Sequence, residues 1–217
     1  MENPSPSGLI MRDTAIQVFT SDNIPIIKLD DNNYREYEKL VITSNLLFRF
    51  TRPPCIVQPE SAAHMQSIVN RIREQNLRLT IRCGGHLYAG FSTALEKNNV
   101  LMDLRKINKG EVYRTLINRD HIGLIINGGR YPYVGVGGFI LSAGLSPFGR
   151  TFSMGSNTLL EATMVTAKGE VIEMKKTDDK RSDKGRLFWA LQRAGQANFG
   201  VVTQIKLKIQ HLNSHNG

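Results

Sequence analysis

Leu77-Arg78-Leu79-Thr80-Ile81-Arg82-Cys83-Gly84-Gly85-His86-Leu87-Tyr88-Ala89-Gly90 is the stretch on which the fold turns. In its first half Leu77, Leu79 and Ile81 alternate with Arg78, Thr80 and Arg82, the two-residue period of a β-strand. Its second half opens on paired glycines, so the strand runs directly into a tight loop. Upstream, from Ser61, Met65, Ile68, Val69 and Ile72 recur at helical spacing and predict an amphipathic helix ending near Asn76. Before that helix, Ile56-Val57 form a short strand bracketed by Pro53-Pro54 and Pro59. Strand, helix, strand and then a glycine loop at a strand end is the order of a mixed α+β fold.

The same reading extends outward in both directions. Residues 1–32 are rich in Pro, Ser, Asn and Asp without a sustained period and read as a loose N-terminal arm, followed by a short helix and turn over Asn33–Phe50. Val100–Leu104 reads as a strand, Glu111–Asn118 as a short helix, and Leu124-Ile125-Ile126 as a buried segment stopping at Gly128-Gly129. Leu159–Thr166 and Val171–Met174 flank Ala167-Lys168-Gly169-Glu170, a hairpin with glycine at its turn. Arg186–Gln192 is helical, with Leu187, Trp189 and Leu191 suited to packing. On a last strand Val201, Thr203, Ile205, Leu207 and Ile209 share one face, opposite Gln204, Lys206 and Lys208. The expected organisation is an arm (1–32), a main body (33–210) and a tail (211–217).

Composition limits the function classes. At 217 residues and 41% hydrophobic content the chain builds a real core rather than a disordered segment. No apolar run approaches the ~18 residues of a membrane span, and Met1–Ser7 carries no basic region followed by an apolar stretch, so neither a membrane nor a secretory signal is expected. Cys55 and Cys83 allow at most one disulfide and no metal framework. The net charge of +9 does not point to nucleic acid: Lys168, Lys175, Lys176, Lys180, Arg181, Lys184 and Arg186 are interleaved with Glu170, Glu173, Asp178, Asp179 and Asp183, and no aromatics stand among them to stack bases. That pattern describes a solvated face. His64, His121, His211 and His215 lie in no motif and read as surface residues.

Three segments are built for close approach to main chain. In Arg82–Gly90 the glycine pair lets successive N–H groups converge on an anion such as pyrophosphate, with Arg82 adding charge; the alternative is a tight turn bearing a surface histidine. In Val134-Gly135-Val136-Gly137-Gly138-Phe139-Ile140-Leu141-Ser142-Ala143-Gly144 the glycines admit a planar ring or phosphate, or else kink a buried strand. Ile140 occupies the place of the third Rossmann glycine and no Gly-Lys-Ser/Thr follows, which excludes the dinucleotide fingerprint and the nucleoside-triphosphate P-loop. In the third, Phe188-Trp189-Ala190-Leu191 leads through Gly195 to Asn198-Phe199-Gly200-Val201-Val202-Thr203; Gly200 either admits a ligand edge or only starts the strand, and Trp189 reads as core.

Together, and in this order, these segments resemble the FAD-binding domain of the vanillyl-alcohol-oxidase / p-cresol-methylhydroxylase flavoproteins, in the berberine-bridge-enzyme-like branch and of fungal type. Arg52-Pro53-Pro54, Ile56-Val57-Gln58-Pro59 and Val165-Thr166-Ala167-Lys168-Gly169-Glu170-Val171 add to the likeness, which runs from about Asn33 to Ile209. The resemblance implies a two-subdomain α+β fold with FAD between the subdomains, and an FAD-linked oxidoreductase acting on a small molecule. It implies that His86 bonds the flavin 8α-methyl carbon, a neutral imidazole offering its lone pair to the electrophilic quinone-methide form. Arg82, Cys83, Gly84, Gly85 and Leu87 are implied to cradle the pyrophosphate. Gly135, Val136, Gly137 and Gly138 are implied to lie against the cofactor, with Gly200 and Val202 approaching it through main chain. When bound, FAD would take a substrate hydride at N5 and return the electrons to O2.

The chain also departs from that pattern. Tyr131 stands where many relatives carry a second linking cysteine, so at most one covalent bond is expected. Leu87 replaces a usual serine, and Gln192-Arg193 replaces Arg-Gly. Lys106-Ile107-Asn108-Lys109-Gly110 runs straight into Glu111-Val112-Tyr113, where relatives have another strand and turn, so an internal deletion near 110/111 is expected. The sequence ends at Gly217, before the substrate-binding domain of relatives, so no catalytic base is assigned. Two functions follow: an FAD-dependent oxidoreductase, or a catalytically incomplete FAD-binding fragment. No oligomeric state and no metal are assigned.

Overall fold

The structure, a computed structural model, describes residues 17, 19–20, 22–28, 32, 34–43, 46–48, 50–87, 89–90, 92–93, 98–106, 123–131, 134–195 and 198–212. The chain divides into two compact units, Met1–Ile107 with Ala167–Gly169, and Asn108–Thr166 with Glu170–Gly217. The expected body over 33–210 thus falls into two units. The helix expected over Glu111–Asn118, the expected deletion, Tyr88, His121 and His215 lie outside the described residues.

The first unit contains β1 (Ile26–Lys28), α1 (Tyr34–Val41), β2 (Cys55–Val57), α2 (Ala62–Glu74), β3 (Arg78–Arg82) and β4 (Asn99–Asp103). Its sheet has the order β1-β2-β4-β3, with β1 antiparallel to β2 and both β2 and β3 parallel to β4. Helix α2 begins where Ser61 Oγ accepts from His64 N at 3.1 Å, satisfying one of the amides a helix start leaves open. It buries Met65, Ile68, Val69 and Ile72, the residues whose spacing predicted it. Ile27, Tyr37, Val41, Ile56 and Leu101 form a core cluster, and the Tyr37 hydroxyl donates to Pro53 O at 2.6 Å. The turn Ala167–Gly169 belongs here because α2 holds it: Gln66 Nε2 donates to Gly169 O at 2.8 Å and Arg73 Nη1 to Lys168 O at 2.6 Å.

One expectation is corrected in this unit. Residues 1–32 do not all form a loose arm, because Ile26–Lys28 pair with Cys55–Val57 and bury Ile24 and Ile27 together with Phe19. The segment is short and its apolar residues are too few to show a period. In β3 the strand period holds, but the deeper face is the polar one: Thr80 and Arg82 are buried while Leu79 and Ile81 are half-buried. Across the parallel pair Thr80 meets Asn99, whose Nδ2 donates to Thr80 Oγ1 at 2.9 Å, and Arg82 meets Asp103.

The second unit contains β5 (Leu124–Ile125), α3 (Val136–Leu141), α4 (Gly149–Phe152), β6 (Leu159–Val165), β7 (Val171–Lys175), α5 (Asp183–Ala194), β8 (Val201–Leu207) and β9 (Gln210–His211). An antiparallel sheet runs β7-β6-β8, and β5 pairs antiparallel with β9. His211, placed in the tail from sequence, is the residue opposite Leu124 in that pair. Ile140, Leu141, Leu159, Ala162, Met164, Met174, Phe188 and Leu191 form the core, so α3 and α5 pack on the same sheet residues. Trp189 is not core as expected: it is 57% exposed, with the Arg193 guanidinium carbon 5.5 Å from its ring centroid. A helix that already seats Phe188 and Leu191 against the sheet carries residue 189 away from it. The lysines and arginines of 168–186 are exposed, as the mixed charge pattern indicated. Among the described residues no helix is long and apolar enough to cross a membrane.

Candidate cofactor-binding site

The parallel strands β3 and β4 end side by side at Arg82 and Asp103, and Leu104 N donates to Arg82 O at 2.8 Å to close the pairing. The glycine loop therefore starts at the carboxyl end of a parallel strand, where ligands of open α/β sheets collect. Arg82 is only 2% exposed. Burial, and then the neighbouring Arg105 cation, push its guanidinium down to about 10, against the opposing pull of Asp103. Asp103 is itself fully buried and engaged by Arg105, whose Nη2 lies 2.6 Å from Oδ2 and whose Nε lies 3.0 Å from Oδ1. Arg105 pairs with this carboxylate while Arg82 only feels its charge, which leaves positive charge in excess beneath the turn.

Gly85 is buried with φ +74, and a Cβ there would lie 2.5 Å from Arg82 Nη2 and 2.9 Å from Nε. The guanidinium lies against the bare α-carbon, and its burial leaves it no outward path. Cys83, Gly84, His86 and Leu87 are half-buried. Neither Cys55 nor Cys83 is in a disulfide; burial pushes Cys55 up to about 12, with nearby Lys28 opposing. After the turn, Thr93 N donates to Gly90 O at 2.9 Å, and the Phe48 ring fills the space beside Gly90.

Arg82 Nε and Ser92 Oγ are buried polar atoms without a hydrogen-bond partner among the described residues. Unsatisfied buried donors of this kind call for a partner. An anionic, oxygen-rich cofactor fits both these atoms and the excess positive charge. Ser92, Asp103 and Arg105 were not singled out from sequence. The available signal was Asp103-Leu104-Arg105, opposite charges closing an otherwise apolar strand.

In the second unit Gly135–Gly138 is neither open loop nor kinked strand. Gly135 caps the six-residue α3, and Phe139 N donates to Gly135 O at 3.0 Å. Gly138 is exposed and Gly137 half-buried, so this first turn presents main chain rather than side chains. Val136 and Val202 are both half-buried against the unit's core. A Cβ at Gly200 would lie 2.3 Å from Val165 O, so close packing against β6 already requires glycine there. Gln192, one of the departures, donates through Nε2 to Ser156 O at 3.0 Å. Among the described residues no cluster of His, Cys, Asp and Glu could hold a metal ion.

The first unit brings a parallel strand pair to a buried cation and a glycine-rich turn, the second is an antiparallel α+β unit, and this α+β construction matches the FAD-binding portion of BBE-like structures. Residues 53–117 match the family model described as FAD binding domain. The chain is similar to the berberine-bridge-like FAD-linked oxidases. It is 27% identical over 216 residues to tetrahydroberberine oxidase of Berberis wilsoniae, covering 89% of this chain and 39% of that protein. It is 31% identical over 176 residues to (R)-6-hydroxynicotine oxidase of Paenarthrobacter nicotinovorans, covering 74% of this chain and 37% of that protein. The solved structure of Physcomitrella patens BBE-like 1 superposes with a TM-score of 0.79 at 22% identity, covering 91% of this chain and 44% of that one, a likeness of fold. The chain spans about two fifths of the length of the curated relatives it matches.

Proposed function

We propose that this chain binds FAD at the turn Arg82–Leu87 and serves a fungal-type FAD-linked oxidase acting on a small molecule. The observation that carries the reading is the pairing of the FAD-binding match over 53–117 with a buried cation and two polar atoms inside that match, Arg82 Nε and Ser92 Oγ, that have no hydrogen-bond partner among the described residues. FAD, when bound, would accept a substrate hydride at N5 and pass the electrons to O2. Arg82 and Arg105 would supply the charge that holds the diphosphate, with the Cys83–Gly85 main chain and Ser92 Oγ as further groups to hold it. His86 would carry a single covalent link, its ring nitrogen bonding the 8α-methyl carbon as one C–H and one N–H proton leave and O2 takes up the two electrons released.

A visible spectrum before and after acid precipitation tests this reading. Yellow colour that stays with the denatured pellet and is released in His86→Ala is expected. A folded protein that remains colourless with added FAD overturns the reading. A second reading, a catalytically incomplete FAD-binding fragment, is favoured by the two-fifths coverage of the relatives. The two part on turnover: flavin reduction by any member of an alcohol, sugar or alkaloid panel supports the oxidase, and bound flavin that none of them reduces supports the fragment.

A further inference from the structure

Arg82 and Asp103 face each other in register across the parallel pair of β3 and β4, and both are buried, at 2% and 0% exposure. Opposite charges placed together away from water ordinarily pair, because either one buried alone is costly. Here the ion pair of Asp103 is with Arg105 instead. Arg82 Nε is left without a hydrogen-bond partner among the described residues.

Arg105 occupies the carboxylate from two positions further along the chain. Its main-chain N and its Nε both donate to Oδ1 at 3.0 Å, while Nε and Nη2 donate to Oδ2 at 2.9 and 2.6 Å. Nη2 also donates to Leu40 O at 3.2 Å, in the last turn of α1, so a second element pins the guanidinium. Arg82, Gly85, Asp103, Arg105 and Leu40 all belong to the first unit, and all but Leu40 lie inside the FAD-binding match over 53–117. The unpaired guanidinium of Arg82 lies against Gly85, within the glycine turn itself.

We propose that Arg105 is a positioning residue for the cofactor: by engaging both oxygens of Asp103 it holds that carboxylate off Arg82 and leaves the Arg82 guanidinium for the diphosphate of FAD. This rests on the FAD-binding reading above. Arg105 contributes its positive charge through Asp103 rather than by touching the cofactor. Without Arg105, the cation facing the buried carboxylate across the strand pair is Arg82. A pair formed there spends the donors an anion needs and lowers the net charge under the turn by one.

The test reads FAD dissociation constants and thermal midpoints on the whole chain in a His86→Ala background, where no covalent link forms and binding is reversible. Arg105→Met frees Asp103 to pair with Arg82 and is expected to weaken FAD about tenfold, the worth of one hydrogen bond to a charged group. Asp103→Asn removes the competitor; it is expected to bind FAD at least as tightly as the parent while its midpoint falls, because two buried cations lose their counter-charge. Arg105→Met combined with Asp103→Asn is expected to recover FAD affinity to within about threefold of the parent, since no carboxylate remains to take Arg82. If Arg105→Met fails to fold, Arg105→Lys replaces it, its compact head unable to span both oxygens, with an expected loss of about threefold.

Arg105 variants that bind FAD as the parent does overturn the inference. A combined variant as weak as Arg105→Met, in step with its midpoint, also overturns it and leaves Arg105 a purely structural tie to α1. Asp103→Asn that weakens FAD as much as Arg105→Met overturns it as well, by making the carboxylate itself a requirement of the site. A chain with His86 intact that stays colourless with added FAD removes the functional reading and this inference together, whereas FAD binding that no variant alters removes the role of Arg105 alone.

Discussion

Gly85 joins conformation, packing and charge in one residue. Its φ of +74 and the 2.5 Å separation between a would-be Cβ and Arg82 Nη2 make Gly85→Ala costly twice over. A loss of at least about 1–2 kcal/mol is expected from the backbone alone, read from the denaturant midpoint. Weaker FAD binding is expected with it. Cys55 gives a pH dependence of opposite character. Its folded thiol titrates near 12 against an ordinary 9, so between those values the unfolded chain binds fewer protons than the folded one. This contribution to stability is complete below about pH 9 and is lost as pH rises toward 12; Cys55→Val is expected to flatten that part of the profile. Alkylation of the native protein is expected at half-buried Cys83 and not at Cys55, checked by peptide mass, with FAD slowing it. Arg82 could be picked out of the sequence as a cation beside a glycine pair, but not its depth. The alternation of Leu77, Leu79 and Ile81 points the strand's apolar side inward. What buries the other side is Asn99 and Asp103, which reach β3 only through pairing with β4.

The elements that were legible are those with a local signature. Helix α2 shows its period and its serine cap, and the hairpin of β6 and β7 shows its glycine turn. Helix α3 was missed because six residues with three glycines in and before its first turn carry neither period nor propensity; Ile140 and Leu141, packed on the core, hold it. Strand β1 was missed for a related reason, three residues being too short to alternate visibly. Helix α5 offers a control for the site arguments. Ser182 Oγ accepts from Gly185 N at 3.0 Å and donates to Asp179 O at 2.6 Å. Ser182→Ala is expected to cost about 1 kcal/mol of stability in chemical denaturation and to leave FAD affinity unchanged.

For the molecule as a whole, FAD binding is linked to folding. A ligand that binds only the native state stabilises it by about 2.7 kcal/mol at a hundredfold excess over its Kd, so the thermal midpoint is expected to climb steadily with added FAD. A midpoint indifferent to FAD would count against the functional reading. Trp189 is the protein's single tryptophan and lies in the second unit, so its fluorescence reports that unit specifically. The first unit is completed by a distant piece of chain: the acceptor for Gln66 lies 103 residues downstream, at Gly169. During synthesis, when domains generally form from the amino end, α2 emerges and packs long before that turn has been translated. Gln66 and Arg73 must therefore wait on water until much of the second unit's sequence has left the ribosome. A nascent chain released before Lys168 would carry the whole glycine turn Arg82–Leu87 on a unit that lacks its last piece.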